Sequence, residues 1–237
     1  MFIIFIFAIG IEASITETII VGTNAEFAPL TFKEGDIITG FDIDLITEIF
    51  KKLNKKFIIQ DIPFSELIPS LQRGDIHIVI GGMIPTKERE QYVLFTKPHL
   101  TGDCLAIISL KTNMVNSIAD LINKIVAVNE GYFADYYISA YQDINLLRLS
   151  SNSVNDGIIT LQNKIADAFI TTLLPMQPYF TEFGKDNFNI AIIEDLKLSS
   201  AFAISKYYPK LRDIIQIVLD YMQTDGTLDT LKQKWNL

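Results

Sequence analysis

Apolar residues along this chain recur at two alternating periods. Thr18-Ile19-Ile20-Val21-Gly22 and Phe57 to Ile62 are short runs rich in β-branched and aromatic residues, the composition of strands. Between them, positions 43, 45, 46, 49, 50 and 53 are apolar within Asp42 to Leu53, which lines one face of a helix for packing on a sheet. Leu30 to Phe41 predicts a hairpin turning at Glu34-Gly35-Asp36, and Ser65 to Gln72 a helix closed by Gly74. Ile76-His77-Ile78-Val79-Ile80 then reads as a buried parallel strand. Consecutive parallel strands need helical crossovers, so the opening third is βαβα.

The pattern restarts after Leu110. Ile118 to Ile122 predicts a helix, Ile125 to Val128 a strand, and Gly131 the opening of another helix. Ile144 to Leu149 predicts a strand, Val154 to Asn163 a helix, and Ala168-Phe169-Ile170 a strand. Leu71-Gln72 leads into Ile76–Ile80 much as Leu161-Gln162 leads into the run at 166–170, which predicts two similar α/β lobes. Phe202-Ala203-Ile204 is a further strand, followed by a helix from Pro209 to Met222. Asp225-Gly226 ends that helix, and Thr227 caps a last one reaching Trp235. No long Gly/Ser/Pro linker separates the halves, which favours two lobes hinged tightly over a cleft.

Composition narrows the class. The 237 residues are 49% apolar and 20% charged, a globular balance, and the net charge of −8 argues against nucleic-acid or anionic-membrane partners. The first eleven residues, Met1 to Ile11, are too short a run to span a bilayer but fit the apolar region of a secretory signal. Residues 1–14 are therefore expected to be a signal segment, atypical or truncated because the first basic residue is Lys33. The single Cys104 allows no internal disulfide and no thiolate zinc site, and reads as a small buried core residue.

Arg89 is the main candidate for chemistry. It follows Gly81-Gly82 at the end of a predicted strand, and Thr86-Lys87-Glu88-Arg89 reads as a first helical turn. Open α/β folds bind ligands at the carboxyl ends of their strands, and an arginine there offers a planar fork matched to a carboxylate or phosphate. Taken alone, one arginine reads rather as a solvated surface residue.

The order of motifs changes that balance. Gly22-Thr23-Asn24 with Phe27-Ala28-Pro29, Gly40-Phe41-Asp42-Ile43-Asp44-Leu45, Leu67-Ile68-Pro69-Ser70-Leu71, Thr86 with Glu88-Arg89, Phe95-Thr96 with Pro98, Asp225-Gly226-Thr227 and Lys234-Trp235 succeed one another. Over residues 18 to 236 the chain resembles the extracellular solute-binding proteins that serve polar amino-acid ABC importers (family 3). The resemblance implies two Rossmann-like α/β lobes of the type II periplasmic-binding-protein kind, joined by a two-strand hinge. Residues 18–103 with 200–237 would form one lobe and 104–199 the other, with crossings near 99–103 and 196–200. It implies a monomer in the periplasm or another extracytoplasmic space, an amino acid or related carboxylate as ligand, and an ABC permease as partner. No cofactor, metal or catalytic residue is implied.

By the same resemblance Arg89 clamps the ligand's α-carboxylate, Phe27 and Phe64 pack on its side chain, and Gly81 and Gly82 offer backbone contacts. Asn24, Ile84, Asn129, Phe133 and Thr172 complete the expected ligand-binding set. Several positions depart from the family pattern. Gly131-Tyr132-Phe133 stands where a small pair such as Thr-Thr is usual, Thr171-Thr172 where an aspartate meets the α-amino group, Ile84 for Ser or Thr, and Asn24 for Asp. Glu130 or Asp135 could supply the missing negative charge, or could be solvated. The competing reading is an enzyme on the same scaffold, similar to cyclohexadienyl dehydratases. Its acid or base would have to come from a chain with only two histidines, His77 inside a strand and His99 near the hinge.

Overall fold

The computed structural model describes residues 18–150 and 153–237, so the expected signal segment 1–14 lies outside the described residues. In chain order the first elements are β1 (Ile19–Thr23), β2 (Glu26–Phe27), β3 (Thr31–Glu34), β4 (Ile37–Thr39), α1 (Phe41–Lys52), β5 (Phe57–Asp61), α2 (Phe64–Arg73), β6 (Ile78–Val79) and β7 (Val93–Phe95). β8 (Leu100–Leu110) leads to β9 (Ile125–Asn129), α3 (Phe133–Ile138), β10 (Asn145–Leu149), α4 (Val154–Gln162), β11 (Ala168–Thr172), α5 (Gln177–Phe183) and β12 (Phe188–Ser200). β13 (Ala203–Ser205), α6 (Pro209–Thr224) and α7 (Thr227–Trp235) complete the chain.

The strands form two five-stranded sheets, ordered β5-β1-β6-β13-β7 and β10-β9-β11-β8-β12, beside a small β2-β3-β4 sheet. In the first, β1 pairs in parallel with β5 and β6. In the second, β9 pairs in parallel with β10 and β11. The sequence echo thus falls at equivalent places: α2 feeds β6 and α4 feeds β11, each into a strand beside the first strand of its sheet. Each sheet and the helices packed on it form one lobe.

Two antiparallel segments cross between the lobes side by side. Leu100 pairs with Ser200, and the backbone N–H groups of Thr96 and His99 donate to the carbonyls of Phe202 and Ser200 at 3.0 Å each. After the second crossing the chain returns to the first sheet through β13. There α7 docks on α1, with the Trp235 indole and the Lys234 ammonium both donating to one oxygen of Asp44, at 2.7 and 2.6 Å.

Several local expectations change. Residues 118–121 form a 3₁₀ turn rather than an α-helix, and β12 is far longer than the crossing expected at 196–200. Its register shifts between Ile192 and Lys197, which breaks the alternation a sequence reading relies on. Cys104 is half-buried rather than a core residue. His77 takes a structural role: its Nδ1 accepts the Ile20 N–H at 3.1 Å, and its ring lies 4.5 Å from that of Tyr208.

Gly157 shows how closely the second lobe is packed. A Cβ built there would collide with the Phe169 ring, which is fully buried under α4. Gly157→Ala should therefore destabilise the protein by about 1–3 kcal/mol, the usual cost of overpacking, despite the better helix propensity of alanine. Urea unfolding monitored by circular dichroism measures this; an unchanged midpoint would show that the helix shifts without cost.

Candidate functional site

The floor of the inter-lobe cleft is set by a buried acid. Asp42 is the second residue of α1, and its carboxylate is fully buried. One oxygen accepts the N–H groups of Gly81 and Gly82 at 2.8 and 3.1 Å, and the other meets His99 Nε2 at 2.9 Å. The His99 ring packs against Phe41 and Phe202 at 6.0 and 4.4 Å, so the histidine at the crossing is a buried partner of this acid. The N–H groups of Gly81 and Gly82 are thereby committed to Asp42, leaving only their carbonyls for a ligand. Both residues have positive φ, 101° and 75°, and a Cβ would press on Thr31 and Thr23 at Gly81 and on the Phe27 ring at Gly82. Only glycine meets both demands.

Arg89 stands on the rim above. The expected helix is one 3₁₀ turn, Arg89–Gln91, with the Arg89 N–H held by the Thr86 hydroxyl at 3.1 Å. A single turn contributes no appreciable helix dipole, so the free N–H groups of a helix start are not part of this site. Arg89 Nη1 donates to the Ile84 carbonyl at 2.8 Å, and Nη2 to the Gly131 carbonyl of the other lobe at 3.0 Å. The guanidinium also lies over the Phe64 ring, 5.5 Å from its centroid, within cation–π range. Burial pulls its pKa down to about 10, which still leaves it charged at neutral pH. Among the described residues it makes no ion pair, and two of its five N–H donors are used.

Arg89 lines a cavity of about 30 Å3 with Phe27, Phe64, Gly81, Gly82, Ile84, Phe133 and Thr172. Eight of the ten expected ligand-binding residues therefore share one wall; Asn24 and Asn129 lie off it. That space suits water rather than an amino acid. Its neighbour is Tyr132, whose ring lies 4.2 Å from that of Phe64 and 6.1 Å from that of Phe27. The Tyr132 hydroxyl donates to Asn24 Oδ1 at 3.1 Å. Tyr132 thus takes Phe27, Phe64 and Asn24 together, contacts that its bulk after Gly131 does not reveal in the sequence. Arg89, Gly131 and Phe133 also face a wider groove of about 850 Å3 that opens outward beside Tyr136 and Tyr141.

Two lobes, a cleft between them and an arginine on its rim call for comparison with known proteins. Residues 19–237 match the family of bacterial extracellular solute-binding proteins, family 3. The chain belongs to this family. It is 30% identical to the arginine-binding extracellular protein ArtP of Bacillus subtilis, over 92% of this chain and 85% of that protein. It is 29% identical to a probable histidine-binding protein of Campylobacter jejuni, over 95% and 88%. A solved substrate-binding protein of an amino-acid ABC transporter superposes with a TM-score of 0.84 at 30% identity, covering 92% of this chain and 99% of that one. The type II periplasmic-binding fold follows, and binding rather than catalysis is what the family and these relatives are named for.

Within this family-3 protein the remaining expected residues divide. Ile84 and Phe133 pack against the apolar core of the second lobe. The Asn129 amide donates to the Ser153 carbonyl at 3.0 Å, tying β9 to the start of α4. Asp135 is occupied by the Arg148 guanidinium at 2.9 Å, the Ser139 hydroxyl at 3.1 Å and the Gly131 N–H at 3.1 Å, and Glu130 is exposed. Neither is placed as an ammonium acceptor. Beside Thr172 lies instead Asp103, half-buried where β8 leaves the crossing. One of its oxygens accepts the N–H groups of Cys104, Leu173 and Leu174 at 2.8, 3.1 and 3.0 Å. Burial raises its pKa above the usual carboxylate range, with those N–H groups and the Thr172 side chain pulling the other way. Nothing in the residue spacing linked 103 to 172; only the crossing strand does.

Asp42→Ala would strip the Gly81 and Gly82 N–H groups and the His99 ring of their partner in a dry site. Each buried group left unsatisfied costs about 1–3 kcal/mol, so a loss of at least about 3 kcal/mol is expected. Urea unfolding checks it, and a loss under about 1 kcal/mol would mean that water enters and replaces the carboxylate.

Proposed function

We propose that this protein captures an amino acid or related small carboxylate between its lobes and delivers it to the permease of an ABC importer. It works as a monomer in the periplasm or another extracytoplasmic space, and residues 18–103 with 200–237 close on residues 104–199 about the paired crossings. The observation that carries this reading is Arg89: a half-buried cation at the mouth of a cleft, bonded only to carbonyls and lowered in pKa by desolvation. Holding a charge out of water without an ion pair is costly, and an incoming carboxylate relieves that cost. The names of the relatives, for arginine and histidine, support an amino acid as the ligand class.

Arg89 reaches from Ile84 in its own lobe to Gly131 in the other, so the residue that would hold the ligand also senses closure. Closing the lobes on a ligand would let one guanidinium serve ligand and hinge together.

Calorimetry with the twenty L-amino acids identifies the tightest binder, which then serves as probe. Hydrogen bonds to charged groups contribute about 1.5–3 kcal/mol each, so Arg89→Ala should weaken binding by roughly tenfold to several hundredfold. Arg89→Lys keeps the charge but loses the planar fork, and should weaken it as well. Equal affinity in all three proteins would contradict the reading.

Thr172 offers an ammonium a hydroxyl where a carboxylate would bind it more strongly. The desamino analogue of the probe should therefore keep measurable affinity, within about a hundredfold of the amino acid, a gap of about 2.7 kcal/mol. An analogue that fails to bind at millimolar concentration would show that another acid serves the amino group.

A further inference from the structure

We propose that Tyr132 is the residue that determines which amino acids this cleft accepts, because its ring stands where a ligand side chain would lie. The inference rests on the amino-acid reading of the site. Three contacts define it: the ring against Phe64, the ring against Phe27, and the hydroxyl on Asn24. Although it belongs to the second lobe, Tyr132 packs with the apolar core of the first and is only 8% exposed. Burial pushes its phenol pKa up, which keeps the hydroxyl protonated and able to donate.

The side chain is held by its backbone. Gly131 has φ 76°, the left-handed turn that points residue 132 into the first lobe. Its N–H is tied to Asp135 at 3.1 Å and its carbonyl to Arg89 at 3.0 Å, while the Tyr132 N–H donates to the Asn129 carbonyl at 3.2 Å. Asp135 is in turn anchored by Arg148. A turn fixed by three hydrogen bonds does not swing its side chain freely.

The space beside the ring is about 30 Å3. That is less than any amino acid needs, so every ligand requires the lobes to part from this arrangement, and one with one or two side-chain heavy atoms requires the smallest displacement. Arginine or histidine would have to evict the tyrosine ring, losing both aromatic contacts and the bond to Asn24. The cleft therefore favours glycine, alanine, serine or an acid of similar size over long side chains, which Tyr132 opposes through its two ring contacts and its bond to Asn24.

The test is calorimetric titration of the full chain with glycine, L-alanine, L-serine, L-arginine and L-histidine, repeated on Tyr132→Ala and Tyr132→Ser. The wild-type protein should bind at least one of the three small amino acids, and arginine and histidine at least tenfold more weakly. Both variants should gain at least tenfold for arginine or histidine. Wild-type protein that binds arginine or histidine as tightly as the variants overturns the role of Tyr132 and leaves the amino-acid reading intact. If the variants do not fold, the wild-type order decides: a preference for the long side chains overturns the proposal, and a preference for the short ones supports it. If none of the three proteins binds any amino acid, the amino-acid reading falls and this inference with it.

Discussion

Asp42 gathers partners from two separate segments onto one buried carboxylate: Gly81 and Gly82 just past β6, and His99 at the crossing between the lobes. Desolvating a carboxylate costs several kcal/mol, and only a full set of well-aimed partners offsets it. That demand fixes the start of α1, the glycine turn and the hinge strand in one mutual geometry. It also directs the two glycine N–H groups downward, so the ligand must find its donors elsewhere. Arg89, eight residues past Gly81, is where the proposed reading has the chain supply them.

The site balances two opposed tendencies. On the proposed reading, a half-buried guanidinium without an ion pair would draw an anion into the cleft, while Tyr132 would fill the aromatic slot that a side chain needs. The first would favour any carboxylate; the second would discriminate by size. Both act through Gly131, whose carbonyl holds Arg89 and whose turn aims Tyr132. Charge recognition and shape recognition are thus coupled through one residue of the second lobe.

Much of the fold could be read in the sequence because its signals are local. The apolar face of α1 and the short runs of β1 and β5 follow period and composition alone. The 3₁₀ turn at Arg89 has the sequence of a helix start, because Thr86 caps a single turn with the same residues that cap a longer one. The pairing of Asp42 with His99, separated by 57 positions, carries no sequence signal. Tyr132 was visible as a bulky departure after Gly131, yet its contact with Asn24 depends on how the two lobes meet. Of the two readings of Glu130 and Asp135, the solvated one holds for Glu130, and Asp135 is taken instead by Arg148, whose position no spacing reveals.

The central claim is that a small carboxylate is held on Arg89, and native mass spectrometry of gently purified protein tests it most directly. Tight complexes survive purification, so the account predicts an added mass matching an amino acid or similar small acid on the wild-type protein. The same mass should be lost from Arg89→Ala purified in parallel. A bound species without a carboxylate, or one retained equally by Arg89→Ala, would contradict the account.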